Sequence, residues 1–441
     1  MDKPAVVLGG GGFEFTAKST ASLRGIPGLR FVAETLPDRI YSTEEALAGI
    51  RPVIDDIVAA LTKPLTEEER HPKKEVKRPP RIVFKGNLEE FNRFFYKSGW
   101  TDGLPVVPPT EEAVKEMLTG TNLPPEHVVT RLIPRMGKAT VEKIAVNAVM
   151  AGALPTHMPV LIAGVQALMN PLSFFQVKGV STSSWSPFWM INGPVAKDLN
   201  VNRGQGALNP GNIANAAIGR AMGLIIKNIG GIRKGIEDMA VLGNPGKYST
   251  VIAENEEASP WEPLHVERGL NKEDSAVTLC FYNCFVQYYP TGTEAVDVLK
   301  GTVDNVPPGG SPGRWAVLLM PPSLARKLAD EGWTKKDVKR YIAENTSVPA
   351  YKHPYRWFGT DIRKEFKAFI PPHETDPMVL FWTPEHIQVV VVSESHIVTG
   401  MALGFSHYGP PQFATQKVEL PANWKELVAK YKDIVPAYVR Y

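Results

Sequence analysis

Apolar runs that stop at glycine or proline alternate along this chain with amphipathic stretches opened by a capping residue, and that alternation predicts its elements. "KPAVVLGG" is a short β-branched run ended by glycine, the pattern of a buried strand. "TAKSTASLRG" then predicts a short helix closed by Gly25, and "GLRFVAETL" a second strand, in β-α-β order. In "STEEALAGIRPVIDDIVAAL", Ser42 as cap and Glu45 three residues on form a capping box, and Pro52 divides the stretch into two helices. Asn87, Thr110, Thr140 and Thr334 are placed to cap four more helices. "TVEKIAVNAVMAGAL" and "MPVLIAGVQALMNPL" are apolar on more than one face, which predicts a central helical hairpin, and "NIANAAIGRAMGLIIKNIGG" a further apolar helix ended by its glycines. "SAVTLCFYNCFVQYY", "RWAVLLM" and "HIQVVVVSE" read as strands, whereas residues 172–211, rich in Ser, Asn, Gly and Pro, read as loops, "STSSWSPFWMINGP" among them.

The order of elements predicts a mixed α/β fold with a small Rossmann-like unit over residues 1–68 and a basic, proline-punctuated linker over 69–82. A main mixed α/β domain follows over 83–304, and a C-terminal α/β lobe over 305–441 that can be continuous with it. A length of 441 residues with 43% hydrophobic content suits two or three such domains. Lys and Arg number 49 against 46 Asp and Glu, so no broad basic field favours nucleic acid, and "HPKKEVKRPPR" reads as a solvated linker. The two cysteines, Cys280 and Cys284, would lie two pleats apart on one strand, as free buried thiols rather than a disulfide. With no signal peptide and no run of apolar residues long enough to cross a membrane, the expectation is a cytoplasmic protein without membrane contact.

The glycines of "AVVLGGGGFEFTAKS" invite a nucleotide-loop reading, which the spacing rejects. The dinucleotide fingerprint needs a third glycine where this chain has Glu14 or Phe15, and no Gly-Lys-Ser/Thr follows for a P-loop. No nucleotide-binding motif is therefore present. The longer stretch "AVVLGGGGFEFTAKSTASLRGIPGLRFVAETLP" resembles the UGSC family, whose motif of Sec or Cys, Gly, Ser and Cys precedes a Thr, a helix, a Gly-Ile-Pro turn and a strand. It is also similar to the substrate-binding subunits of glycine and betaine reductases. Thr16 and the Gly25-Ile26-Pro27 turn match, while the chalcogen positions fall on Gly12 and Phe15, neither of which can attack carbon or sulfur. From Phe84 to Arg268 the chain resembles the body joined to, or encoded beside, such domains, through "GWTDGLPVVPPT", "NAVMAGALPTHMPV" and "GNPGKYSTVIAENEEASPWEPLHVERG". That resemblance implies kinship without an activity, and a partner chain that completes the first unit.

Three polar constellations in the body are candidates for chemistry. Asp102 in "WTDGLPVVPPT" fits either an Asx turn or an acid-base carboxylate whose pKa the neighbouring Trp100 raises. Arg203, Gly204, Gly206, Asn209 and Gly211 precede a helix start, with Arg220 two turns into the helix; they form an anion site, or else Asn209 and Asn212 only cap the helix. Lys247, His265, Glu267 and Arg268 crowd one polar stretch, where Glu267 would orient His265 if the segment is extended, and where a metal finds only weak support. His353 and His407, single histidines in aromatic turns, read as structural. The expectation from these sets is an enzyme or enzyme subunit, lyase- or reductase-like, acting on a small anionic organic molecule. Asp102, His265 and Glu267 would be its catalytic groups, and Trp100, Arg203, Gly204, Gly206, Asn209, Gly211, Arg220, Lys247 and Arg268 would bind the substrate. Its cofactor is open. The alternative is a non-catalytic subunit of a complex whose partner carries the Cys or Sec loop, and either reading implies a homo- or hetero-oligomer.

Overall fold

Capping chemistry places the helices where the sequence puts them. The computed structural model describes residues 4–23, 25–35, 42–71, 80–290, 292–307, 314–352, 373, 375–394, 396–405 and 411–434. In the amino-terminal unit, β1 (Val6–Gly10) and β2 (Arg30–Glu34) pair in parallel through α1 (Glu14–Leu23). Ser42 and Glu45 form the capping box of α2 (Thr43–Ile50), and Pro52 turns the chain into α3 (Ile54–Thr62). Arg30 ties β2 to the end of α3. It donates to the carbonyls of Ala60, Lys63 and Pro64 and bidentately to Glu69 at 3.0 Å; the Arg30–Glu69 bonds, with the Thr66 N–H, hold the Glu69 carboxyl down to about 2.

The body starts with α4 (Leu88–Lys97), α5 (Glu111–Leu118), the hairpin of β3 (Val128–Leu132) and β4 (Gly137–Thr140), and α6 (Val141–Met150). Asn87, Thr110 and Thr140 cap these three helices. Next come α7 (Met158–Met169), β5 (Ser186–Asn192), α8 (Ile213–Ile225), β6 (Val251–Ala253), the single turn α9 (Leu264–Glu267) and β7 (Ala276–Tyr282). At Asn283 the chain leaves this sheet. β8 (Cys284–Tyr288), α10 (Ala295–Asp304), β9 (Arg314–Met320), α11 (Pro322–Asp330), α12 (Lys335–Asn345), β10 (Ile387–Val391) and β11 (Thr399–Phe405) build the second half. The chain then returns through β12 (Ala414–Lys417), which pairs with β7, and α13 (Trp424–Tyr431). The two four-stranded sheets run β12-β7-β5-β6 and β10-β9-β11-β8.

Strands without polar alternation are explained by burial on both faces. Phe188 and Met190 of β5, Cys280 and Tyr282 of β7, and Trp315, Val317 and Leu319 of β9 meet between the sheets. The intervening residues Trp189, Ile191, Leu279 and Phe281 join the core of α6, α7 and α8. On the other side Ala316, Leu318 and Met320 join that of α10, α11 and α12. The result is a mixed α/β fold in four layers: helices, sheet, sheet, helices.

Three sequence expectations change here. "SPFWMIN", read as loop, is the fully buried β5 at the centre of its sheet; Pro187 precedes the residues that pair with β6, so on that side its missing N–H leaves no bond unmade. The run "LCFYNCF" is two strands rather than one. Cys280 and Cys284 therefore lie in different sheets, both free thiols, the first buried and the second half-buried. The change of sheet at Asn283 also precedes the boundary read near residue 305, and β12 and α13 rejoin the first half. Of the basic linker, residues 72–79 lie outside the described residues, as do His353 and His407.

Candidate functional site

The loop "GWTDGLPV" is gripped by one face of a helix. Gly99 and Gly103 take φ of 72° and 101°, values open to glycine, and reverse the chain on either side of Trp100–Asp102. Arg220 of α8 donates through Nε and Nη2 to the two carboxylate oxygens of Asp102 at 2.8 and 3.0 Å, and through Nη2 to the Pro105 carbonyl at 2.7 Å. Lys227 donates to the Thr101 carbonyl, and Asn228 to the Trp100 carbonyl at 3.0 Å. The three residues stand seven and eight positions apart along α8 and its π-helical continuation Ile226–Gly230, hence on one face.

Asp102 also accepts from the Leu104 N–H at 3.2 Å, so the Asx turn is present as well. Burial pushes its carboxyl up, but the Arg220 hydrogen bonds and charge outweigh burial and hold it below the ordinary 3.8. This corrects the expectation that Trp100 raises it. The Trp100 ring instead packs edge-on against Phe94 and Phe95, with centroids 5.7 and 5.1 Å away.

That ring forms part of the wall of a cavity of about 930 Å³. Its apolar lining comes from Phe84, Phe91, Phe95 and Trp100, with Met150 of α6 and Ile229 behind them. A strap over residues 81–88 forms part of the lining, held by Arg81 donating to Glu111 at 2.7 Å and Glu142 at 2.9 Å and by Phe84 stacked on Phe94. A polar line runs along one side of the lining. The Asn228 amide donates to Asn147 Oδ1 at 2.8 Å, and the Asn147 amide donates to the Lys143 carbonyl one helical turn back at 2.9 Å. Except for Trp100, none of the candidate site residues read from the sequence lines this cavity. The available signal was Asn147, a buried amide in the otherwise apolar run "AVNAVM".

The cations expected to hold an anion are engaged elsewhere. Arg203 is buried with Nη2 3.7 Å from Glu257, Lys247 donates to Asp238 at 2.5 Å, and Arg220 is taken by Asp102. The Gly204–Gly211 loop is fastened by asparagines. Asn202 accepts from the Gly204 N–H at 2.9 Å and donates to the Gly206 carbonyl at 3.2 Å, and Asn209 donates its N–H to the same carbonyl at 2.7 Å. After Gly211, Asn212 caps α8 by accepting from the Asn215 N–H at 3.2 Å, which is the capping alternative.

The polar stretch around His265 is a buried joint between the halves. Because α9 is a helical turn and not an extended segment, His265 and Glu267 take different partners. His265 is fully buried, with Nε2 3.4 Å from the Lys272 carbonyl and Nδ1 3.7 Å from a Glu256 carboxylate oxygen. Glu267 pairs with Lys339 and, at 3.4 Å, with Lys335; burial pushes its carboxyl up, but these two lysines hold it below the ordinary value. Glu254 accepts from Asn192 and from the Leu264 N–H, both at 2.7 Å. Arg268 donates to Thr415 Oγ1 at 3.1 Å and to the Phe413 carbonyl at 2.7 Å, which ties α9 to β12. Among the described residues no hydrogen bond or ion pair joins this joint to the Asp102–Arg220 pair. Among them, too, no group of three or more His, Cys, Asp or Glu side chains is placed to hold a metal ion, and no helix is long and apolar enough to cross a membrane.

The opening glycine turn faces the body. Phe15 lies with the Arg135 and Arg233 guanidinium carbons each 5.7 Å from its ring centroid, and both arginines donate to the buried Glu237. A Cβ at Gly12 would stand 3.8 Å from Met239. Gly12 and Phe15 are thus contact points within this chain. No family model, no curated protein and no solved structure matches the chain.

Proposed function

We propose that the protein is the substrate-binding part of an enzyme and holds a small organic molecule in the aromatic cavity beside Trp100. One observation carries the reading: a cavity of about 930 Å³ with four aromatic walls and one line of amides, the composition expected of a site that buries an apolar body and orients it by a few polar groups. The clamp from α8 supports it, because three side chains spend their hydrogen bonds on fixing the loop that presents Trp100. In this reading Asp102 and Arg220 are positioning residues. Proton exchange with a ligand would need Asp102 free of Arg220 or His265 open to the surface, and the first is paired and the second buried.

Chemistry then falls to another group or another chain. The opening loop agrees with that division, with Gly12 and Phe15 standing where the resembling family places its reactive atoms. Calorimetric titration with indole-3-propionamide tests the cavity. Saturable binding is expected, and Val146→Trp, which adds a ring from the α6 lining, should abolish it while the circular dichroism spectrum stays unchanged. Equal heats from both proteins would exclude the cavity as the site.

A further inference from the structure

The polar line of the cavity has two ends that meet no partner among the described residues. Lys143, exposed on the lining, has no ion-pair or hydrogen-bond partner for its ammonium among the described residues. Asn228 uses its amide nitrogen on Asn147 and Trp100, which leaves its carbonyl oxygen as an acceptor without a protein donor among the described residues. Asn147 bridges the two: it accepts from Asn228 and donates to the backbone of Lys143, one turn away on the same helix face. A lysine and a neutral acceptor thus line the same aromatic pocket, linked through Asn147 at the Lys143 backbone.

The other charges on the lining favour an anion. Arg81, Lys85 and Lys143 face Glu111 and Glu112, and Arg81 already satisfies Glu111. Lys85 sits on the strap and Glu112 in the first turn of α5, whereas Lys143 projects from the packed helix α6. The anion-binding loop expected before α8 is fastened internally, so the cavity offers the charge that loop does not.

Resting on the cavity reading above, we infer that Lys143 and Asn228 select a carboxylate ligand with an adjacent hydrogen-bond donor, a 2-hydroxy or 2-amino acid whose apolar side chain lies among Phe84, Phe91, Phe95 and Trp100. The carboxylate pairs with the Lys143 ammonium. The neighbouring hydroxyl or amine donates to Asn228 Oδ1, and the ring fills the aromatic end. No bond is made or broken in this step.

Three indole probes separate the inference from the reading it rests on. In calorimetry at low salt, indole-3-propionate should bind up to about fivefold more tightly than indole-3-propionamide, the scale of one partly exposed ion pair. Indole-3-lactate should bind tighter again through its hydroxyl. Lys143→Met should bring propionate down to the affinity of the amide, leave the amide unchanged, and remove the salt dependence of propionate binding. If the amide binds and is displaced by Val146→Trp, but propionate gains nothing or keeps its gain in Lys143→Met, the inference fails and the cavity reading stands. If the lactate binds no tighter than the propionate, the assignment of Asn228 fails. If no probe binds at all, the cavity reading itself fails.

Discussion

Replacing Asp102 should loosen a loop before it changes any chemistry. The Asp102–Arg220 pair is bidentate and charge-assisted, with side chains 18% and 19% exposed. Hydrogen bonds to charged groups are worth about 1.5–3 kcal/mol each to stability, and partial exposure holds this pair to the bottom of the range two of them would supply or just under it. Asp102→Asn should therefore cost about 2–3 kcal/mol. At about 2.1 cal/mol/K of unfolding entropy per residue, that is a fall of roughly 3–4 °C in Tm for the body. Arg220→Met should cost a similar amount, and the double variant less than the sum by about 1–2 kcal/mol, the coupling expected of directly bonded partners. Urea denaturation of the four proteins supplies the cycle.

The pH dependence has a definite sign. With its native carboxyl below the ordinary 3.8, Asp102 contributes in full above that value and loses its contribution as pH falls through the native one, so the gap between wild type and Asp102→Asn should be constant near neutrality and narrow below pH 3.8. A readout beyond stability comes from Trp100: indole-3-propionamide should bind several-fold more weakly to Asp102→Asn at temperatures where both proteins are folded. A coupling below about 0.5 kcal/mol, or unchanged probe affinity, would refute the clamp.

Two further outcomes follow from buried charges. His157 closes the turn Pro155–His157 with Nδ1 accepting from the Leu154 N–H at 3.2 Å, and burial holds its imidazole down to about 4, so stability should fall by up to about 3 kcal/mol as pH drops from 6.5 toward 4. His157→Asn keeps an acceptor but cannot titrate, and should flatten Tm over that window; an unchanged slope would assign it to other groups. Glu267→Gln leaves Lys335 and Lys339, each with a side chain 6% exposed, without their shared carboxylate. It should cost about 3 kcal/mol at neutral pH, and adding Lys339→Met should recover part of that loss. A neutral effect of the single change in thermal denaturation would mean that the joint is solvated.

Local signals were readable wherever the cause was local. Ser42, Asn87, Thr110, Thr140, Asn212 and Thr334 each cap the helix that their spacing announces, because a cap is decided within four residues. β5 was hidden because its Ser and Pro imitate a loop, and burial between β6 and β7 overrides that composition. The site was hidden for a related reason. Phe91 and Phe95 have the helical spacing of core residues, and nothing local says that the space they face is empty. Asp102 and Arg220, separated by 118 positions, were each visible as polar residues in an ordered setting, yet their pairing reverses the role that either suggested alone. His265 and Glu267 show the opposite failure: the inference needed an extended backbone, and a single helical turn sent the two side chains to different partners.

The return of the chain to its first sheet has a consequence for synthesis. β7 cannot receive its outer neighbour until β12 has been made, since Leu279 pairs with Ala414, about 135 residues later. At about 5–20 residues per second the ribosome needs on the order of ten seconds to cover that distance. During that interval the outer edge of β7 is an unpaired, aromatic-rich strand, the kind of edge that recruits other chains. A nascent polypeptide of this fold thus carries its hazard until Ala414–Lys417 has emerged, so a product stalled before that strand should be found in aggregates while one that includes it is not.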